Sequence, residues 1–209
     1  MFIAGPTGAS DYPVTEEAYD TTYNGSVDII VSKLDSDLTS LLSSTFIGGT
    51  AADYADALAI DSSGNVFVAG HTISSDYPTT EGAFDTTYSE QGNNNYDVIV
   101  SKLDNNLGTL LSSTFIGGGS HDSAKALATD SSGNVFVAGH TISSDYPTTE
   151  GAFDTTYNSG GDVFVSKLDG SLSSLLSSTF IGGTAADYAK ALATDFSGNV
   201  LVAGVDSVN

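Results

Sequence analysis

The sequence predicts an all-β chain built from repeated four-stranded antiparallel units of about 65 residues, and three observations carry that expectation. Residues 61–88 read DSSGNVFVAGHTISSDYPTTEGAFDTTY and recur letter for letter at 130–157. The apolar motif inside them appears as MFIAG at Met1, VFVAG at Val66 and Val135, and VLVAG at Val200, at spacings of 65, 69 and 65 residues. Short runs rich in Val, Ile, Phe and Thr, bounded by Gly, Asn, Asp and Ser, have the composition and length of strands. The chain is therefore one array: repeats 1–65, 66–134 and 135–199, with a partial fourth at 200–209.

Each unit contains four such runs. The first, DALAID at 56–61, is followed by SSGN, in which Gly64 and Asn65 can supply the positive φ of a tight hairpin. That turn leads into VFVAGHT at 66–72. The third run, DVIVSKLD at 97–104, alternates Ile99, Ser101 and Leu103 against Val98, Val100 and Lys102. The fourth, LLSSTFIGG at 110–118, follows a short turn. No segment carries a sustained helical period, and LTSLLSS would support a single turn at most. The longer middle spacing arises where YSEQGNNNYD at 88–97 replaces YNGSVD at 23–28 and YNSGGD at 157–162, which marks a surface loop.

A four-stranded unit cannot bury both its faces alone, so copies must stack. Four antiparallel strands per repeat make the blade of a β-propeller. A β-helix or solenoid is the weaker alternative, because its rungs are usually much shorter than this period.

The segment STFIGGTAADYADALAIDSSGNVFVAGHTISSDYPTT, residues 44–80, resembles the bacterial and archaeal β-propeller repeat family called SBBP, as does the following GAFDTTY…DVIVSKLD. The resemblance implies a propeller and a secreted or surface-attached setting, and it transfers no catalytic residue. GNVFVAG is also similar to the equivalent strand of NHL-type propellers, a likeness that rests on a shared hairpin.

Labelling the four runs A to D, the chain holds three A, four B, three C and three D strands. Propellers close with four to eight blades, so one chain is not expected to close a ring. Two copies would close a six-bladed ring if the C-terminal A strand of each completed the N-terminal B–C–D set of the other, with one B strand surplus at each junction. The rivals are a piece of a longer propeller, or open-ended association into a larger ring or fibre through unpaired strand edges.

Acidic residues number 26 against 5 basic ones, all Lys, for a net charge of −21. Such a surface repels phosphate backbones, and without Arg it has no guanidinium to read a base edge, so nucleic acid is not an expected partner. It suits extracellular life, high salt or calcium, since hard cations prefer carboxylate oxygens, and it also keeps a glycine-rich β protein soluble. With no cysteine there is no disulfide, thiolate metal site or cysteine nucleophile. No apolar run is long enough for a spanning helix. The opening MFIAGPTGAS lacks the features of a secretory signal, so an exported protein would contain this chain as a mature form or an excised piece.

The segment SSDYPTTEGAFDTTY, at 74–88 and 143–157, mixes aromatic and acidic side chains that suit a sugar or a cation. Its candidate ligand-binding residues are Asp76, Tyr77, Glu81 and Asp85, with Asp145, Tyr146, Glu150 and Asp154 in the second copy. The competing reading is that Tyr77, Pro78, Phe84 and Tyr88 pack the loop back over the blade as a satellite core. His71 and His140 correspond to Pro6 and Val205, and His121 to Ala52 and Ala186, so no ring of histidines runs through all copies. The DSSGN turns lack the full EF-hand loop and are expected to be Asp-capped hairpins. One N-x-S/T acceptor occurs, Asn24-Gly25-Ser26, in one copy.

The expected protein is a structural or binding module of a secreted propeller, not an enzyme, requiring no cofactor, with calcium a candidate cation. Self-association and a carbohydrate or surface partner are expected. One alternative is a cation-dependent adhesion, surface-layer or fibre module. Another is a polysaccharide hydrolase or lyase, which requires a non-repeated polar cluster.

Overall fold

The structure is a computed structural model that describes residues 1–89 and 95–206. Among those residues it has thirteen strands and no helix. The first sheet holds β1 (Phe2–Thr7), β2 (Asp28–Leu34) and β3 (Leu41–Ile47), in that order. The second is a complete blade of β4 (Asp53–Ile60), β5 (Val66–Thr72), β6 (Asp97–Leu103) and β7 (Leu110–Ile116), and the third repeats it with β8 (Asp122–Thr129), β9 (Val135–Thr141), β10 (Asp162–Leu168) and β11 (Leu175–Ile181). A stub of β12 (Asp187–Thr194) and β13 (Val200–Asp206) ends the described chain. All pairings between these strands are antiparallel meanders, so β1–β3 is a blade without its first strand and the stub is a blade without its last two.

Each turn follows from local chemistry. In DSSGN, Asp61 Oδ1 accepts the amides of Ser63 (2.9 Å) and Asn65 (2.8 Å), and Gly64 takes φ +85°. That is the capped hairpin expected. The third and fourth strands of each blade are joined by an Asp-x-x-Leu turn in which Leu38, Leu107 and Leu172 sit at φ 60°, 59° and 58°. A leucine in the left-handed region is strained, and in two of the three copies its side chain is compensated by complete burial.

The first strand of each blade begins earlier than expected, at Asp53 and not at Asp56, because Asp56, Lys125 and Lys190 occupy β-bulges that interrupt the alternation. Successive sheets approach one another chiefly through these strands, β4 beside β8 and β8 beside β12, which places them innermost. The core therefore lies between blades. Ile29, Val31 and Ile47 of the first sheet meet Val66, Val68, Leu103 and Leu107 of the second. Phe67, Val98, Val100 and Ile116 of the second meet Val135, Val137, Leu168 and Leu172 of the third.

Candidate functional site

At one end of the blades, a row of aspartate and threonine crosses both complete sheets. The register pairs Asp53 with Thr72 and Thr72 with Asp97, then Asp122 with Thr141 and Thr141 with Asp162. Thr72 donates its hydroxyl to Asp53 Oδ1, and Ser74 donates to Asp53 Oδ2 at 3.0 Å. Aspartates of neighbouring sheets then meet across a glycine: a Cβ placed at Gly117 would lie 2.6 Å from Asp97 Oδ1 and 3.3 Å from Asp122 Oδ2. Gly48 sits likewise between Asp28 and Asp53, and Gly182 between Asp162 and Asp187.

Asp28, Asp53, Asp97, Asp122 and Asp162 are completely buried. Burial pushes Asp97 up to about 7, aided by the charges of Asp122 and Asp85 and opposed by the Ser89 amide. Burial likewise raises Asp122 to about 6 against hydrogen bonds from Gly118, Thr141 and Ser143. Asp97 Oδ1 and Asp162 Oδ1 have no hydrogen-bond partner.

The 74–88 segment is a strap. It joins β5 to β6 yet runs along the outer edge of β7: Thr80 N–H donates to the Ser113 carbonyl (3.1 Å) and Phe115 N–H to the Asp85 carbonyl (3.0 Å). Thr15 and Asp20 treat β3 in the same way, as Thr149 and Asp154 treat β11. The outermost strand of each blade thereby has its free edge covered, which removes a template for unwanted pairing. The first two straps also reach the next blade, since Tyr19 N–H donates to the Leu107 carbonyl and Phe84 N–H to the Leu172 carbonyl, both at 2.8 Å.

This geometry places every candidate ligand-binding residue. Tyr77 and Tyr146 are buried, with their hydroxyls 3.0 Å from Ser101 and Ser166. Burial raises the pKa of both phenols. Those serines pair in turn with Ser113 and Ser178 at 2.8 and 2.9 Å, a polar ladder inside the blade that Tyr12, Ser32 and Ser44 reproduce in the first sheet. Asp76 Oδ1 accepts the amide (2.9 Å) and hydroxyl (3.1 Å) of Thr50, and Asp145 Oδ1 accepts the Gly119 amide (2.9 Å). Asp85 and Asp154 cap the amides of Thr87 and Thr156 at 2.8 Å. Glu81 and Glu150 are exposed at the strap turn. Packing thus accounts for the tyrosines, while the carboxylates lie at or near the surface and are not gathered at one point. Among the described residues no three acidic or histidine side chains form a metal-binding group.

A cluster that is not repeated sits between the second and third sheets. Tyr54 stacks on His71 (centroids 4.8 Å apart), His71 meets Tyr96 edge-on (5.0 Å), and Tyr96 lies against His121 (4.8 Å). Asp56 Oδ2 is 3.1 Å from His71 Nδ1 and 3.0 Å from Lys125 Nζ. Burial raises the Asp56 pKa, but hydrogen bonds from His71 and Lys125 outweigh it and hold the carboxyl below its ordinary value. His140 instead stacks on Tyr188 at 4.3 Å, and its own pKa is lowered by burial. The 88–97 loop singled out in the sequence adjoins this cluster through Tyr96, and its residues 90–94 lie outside the described residues.

Residues 44–78 and 108–147 match the SBBP beta-propeller repeat. Two stretches of the chain are therefore similar to that repeat. No curated protein matches it. Each matched SBBP stretch starts in or just before the last strand of one blade and ends at the DYP of the next strap, so it spans the glycine and the inner aspartate of a blade junction. Sequence reasoning alone misses the aspartate rows. Their signal is present, because in both complete blades Asp opens the first strand, DYADALAI or DSAKALAT, and the third, DVIVSKL or DVFVSKL, and Thr closes the second, VFVAGHT. The Tyr54–His71–Tyr96–His121 cluster has no such signal, since its members are scattered and only the fold assembles them.

Proposed function

We propose that these 209 residues are a structural or binding module of a secreted or surface-exposed β-propeller, and that two copies complete a six-bladed ring. The observation that carries this reading is the interrupted aspartate row. In the first sheet Thr7 pairs with Asp28 but has no inner aspartate. In the stub Asp187 faces Asp206 where a threonine stands in both complete blades. Pairing β12 of one copy with β1 of another restores Asp187–Thr7–Asp28, whereas keeping β13 in that place would set Asp206 between Asp187 and Asp28. Three carboxylates in one buried row are strongly disfavoured, so β1 of the incoming copy displaces β13.

The binding role belongs to the strap-bearing end, where the aromatic faces of Tyr54 and Tyr96 beside the Asp56 carboxylate suit a carbohydrate. The net charge of −21 fits an extracellular setting. Light scattering of this chain with and without millimolar calcium tests the proposal. A discrete dimer supports it; a monomer or an open ladder of sizes refutes the two-copy ring.

A second reading, a cation-dependent adhesion or surface-layer module, is favoured by the unpartnered buried oxygens of Asp97 and Asp162. Carboxylate oxygens left bare in a protein interior are what a hard cation seeks. Calcium-dependent gain in thermal stability, read against chelator, separates this reading from a purely protein-closed ring.

A further inference from the structure

Every interior junction of this chain is built from the same two halves, and the unused halves stand exposed at its two ends. In the first junction the Tyr19 amide donates to the Leu107 carbonyl and Lys33 Nζ reaches the Asn105 carbonyl at 3.0 Å. In the second, the Phe84 amide donates to the Leu172 carbonyl and Lys102 Nζ reaches the Gly170 carbonyl at 3.0 Å. Leu107 and Leu172 are 0 % exposed there.

The third sheet offers the same back half, which the stub covers only in part. Phe153, the counterpart of Tyr19 and Phe84, is 87 % exposed, and Ile181 is 43 % exposed where Ile47 and Ile116 are fully buried. Strand β13 covers only part of this face, leaving an apolar groove of about 290 Å³ lined by Phe136, Phe153, Val165 and Ile181. The first sheet offers the matching front half. Leu38, the counterpart of Leu107 and Leu172, is 58 % exposed and still holds the strained φ of 60°, and Ile3 is 41 % exposed where Val68 and Val137 are buried.

We infer that the occupant of the groove is the β1–β3 sheet of a second copy, with Phe153 of one chain seated on Leu38 of the other. The inference rests on the ring proposed above and names its seam. The Phe153 amide then donates to the Leu38 carbonyl, Lys167 reaches the Ser36 carbonyl, and Met1 and Ile3 take the places that Val200 and Val202 hold in the single chain. Front meets back at both seams, so a ring of two copies contains the contact twice.

The test is light scattering across a dilution series for Phe153→Glu, Leu38→Glu and Leu111→Glu. The last residue is exposed on a complete blade and outside any seam, so it serves as control. All three side chains already face solvent, so none of the changes threatens the single-chain fold. Burying one Phe or Leu is worth about one to two decades of affinity, and each ring has two seams, so F153E and L38E are expected to weaken dimerisation roughly 100-fold or more. L111E is expected to leave it unchanged.

Gly5→Ala gives an independent probe. A Cβ at Gly5 meets nothing within 4 Å, yet at its counterpart Gly70 it would run into the Tyr54 carbonyl of the paired inner strand. G5A is therefore expected to fold normally and to lose the dimer. A wild-type dimer that survives F153E and L38E but is lost in G5A overturns the Phe153–Leu38 contact while leaving the ring's β12–β1 pairing intact, and a dimer that survives all three overturns both. A wild-type monomer overturns the ring itself.

Discussion

Asp97→Asn isolates the cost of burying a carboxyl at a blade junction. Asp97 is completely buried and its pKa is pushed from 3.8 to about 7. A carboxyl raised in this way is protonated in the folded chain while the unfolded chain has already ionised. Its contribution to stability is fully present below about pH 4 and is lost as pH rises to about 7. Between pH 5 and pH 8.5 about two of the three units are traversed, which corresponds to roughly 2–3 kcal/mol. Asparagine does not titrate, so the difference between D97N and wild type should move by that amount in favour of D97N as pH rises. For a chain of this size that is about 5–10 °C in melting temperature. Scanning calorimetry of both proteins at the two pH values measures it, and taking the difference cancels the carboxylates that do not interact with Asp97, leaving those of Asp122 and Asp85 coupled to it. A D97N effect identical at both values would falsify the reasoning, for it would mean that the Asp97 carboxylate is ionised and compensated in the folded chain. Repeating the scans with calcium then shows whether a cation does the compensating.

Other expectations follow from single contacts. Gly70→Ala forces a methyl group into the Tyr54 carbonyl and should cost about 3 kcal/mol or more in chemical denaturation, with steric conflict against backbone as the cause. Tyr146→Phe removes one member of a buried hydroxyl chain whose serines still pair with each other, so a loss of about 1 kcal/mol is expected. Lys125→Met breaks a partly exposed ion pair with Asp56 and should shift stability by less than about 1 kcal/mol; a larger loss would mark the inner-strand bulge as a main tie between blades.

The strands are legible in the sequence because each is bracketed by turn chemistry whose cause is local. Asp61 and Gly64 dictate their hairpin within five residues, and the 65-residue period sets the same turn into each copy. What local pattern does not carry is register. The start of β4 is hidden by the bulge at Asp56, which breaks alternation three residues into the strand. The aspartate rows require knowing that Asp53, Thr72 and Asp97 lie opposite one another, and those residues are 19 and 25 positions apart. The aromatic and acidic composition of the strap serves a ligand-bearing loop and an edge cover equally well. Only its hydrogen bonds to β7 show what part of it does. His121 joins His71 through a tyrosine and the turn before β8, a relation no spacing rule encodes.

The straps have a consequence for how such molecules grow. Because each outer edge is sealed by its own chain, lateral sheet-to-sheet accretion is closed off, and the remaining open backbone lies along one direction of travel with unlike ends. On the proposed ring, the chain is a bifunctional monomer in the polymer chemist's sense. Once one seam has formed, the second is intramolecular if the blades turn through the angle that brings the free ends together, and its high effective concentration favours a small closed product over extension. If the proposed ring forms, a slight change in the angle between successive blades would turn the same surfaces from closing a ring to building a filament without altering a single contact residue.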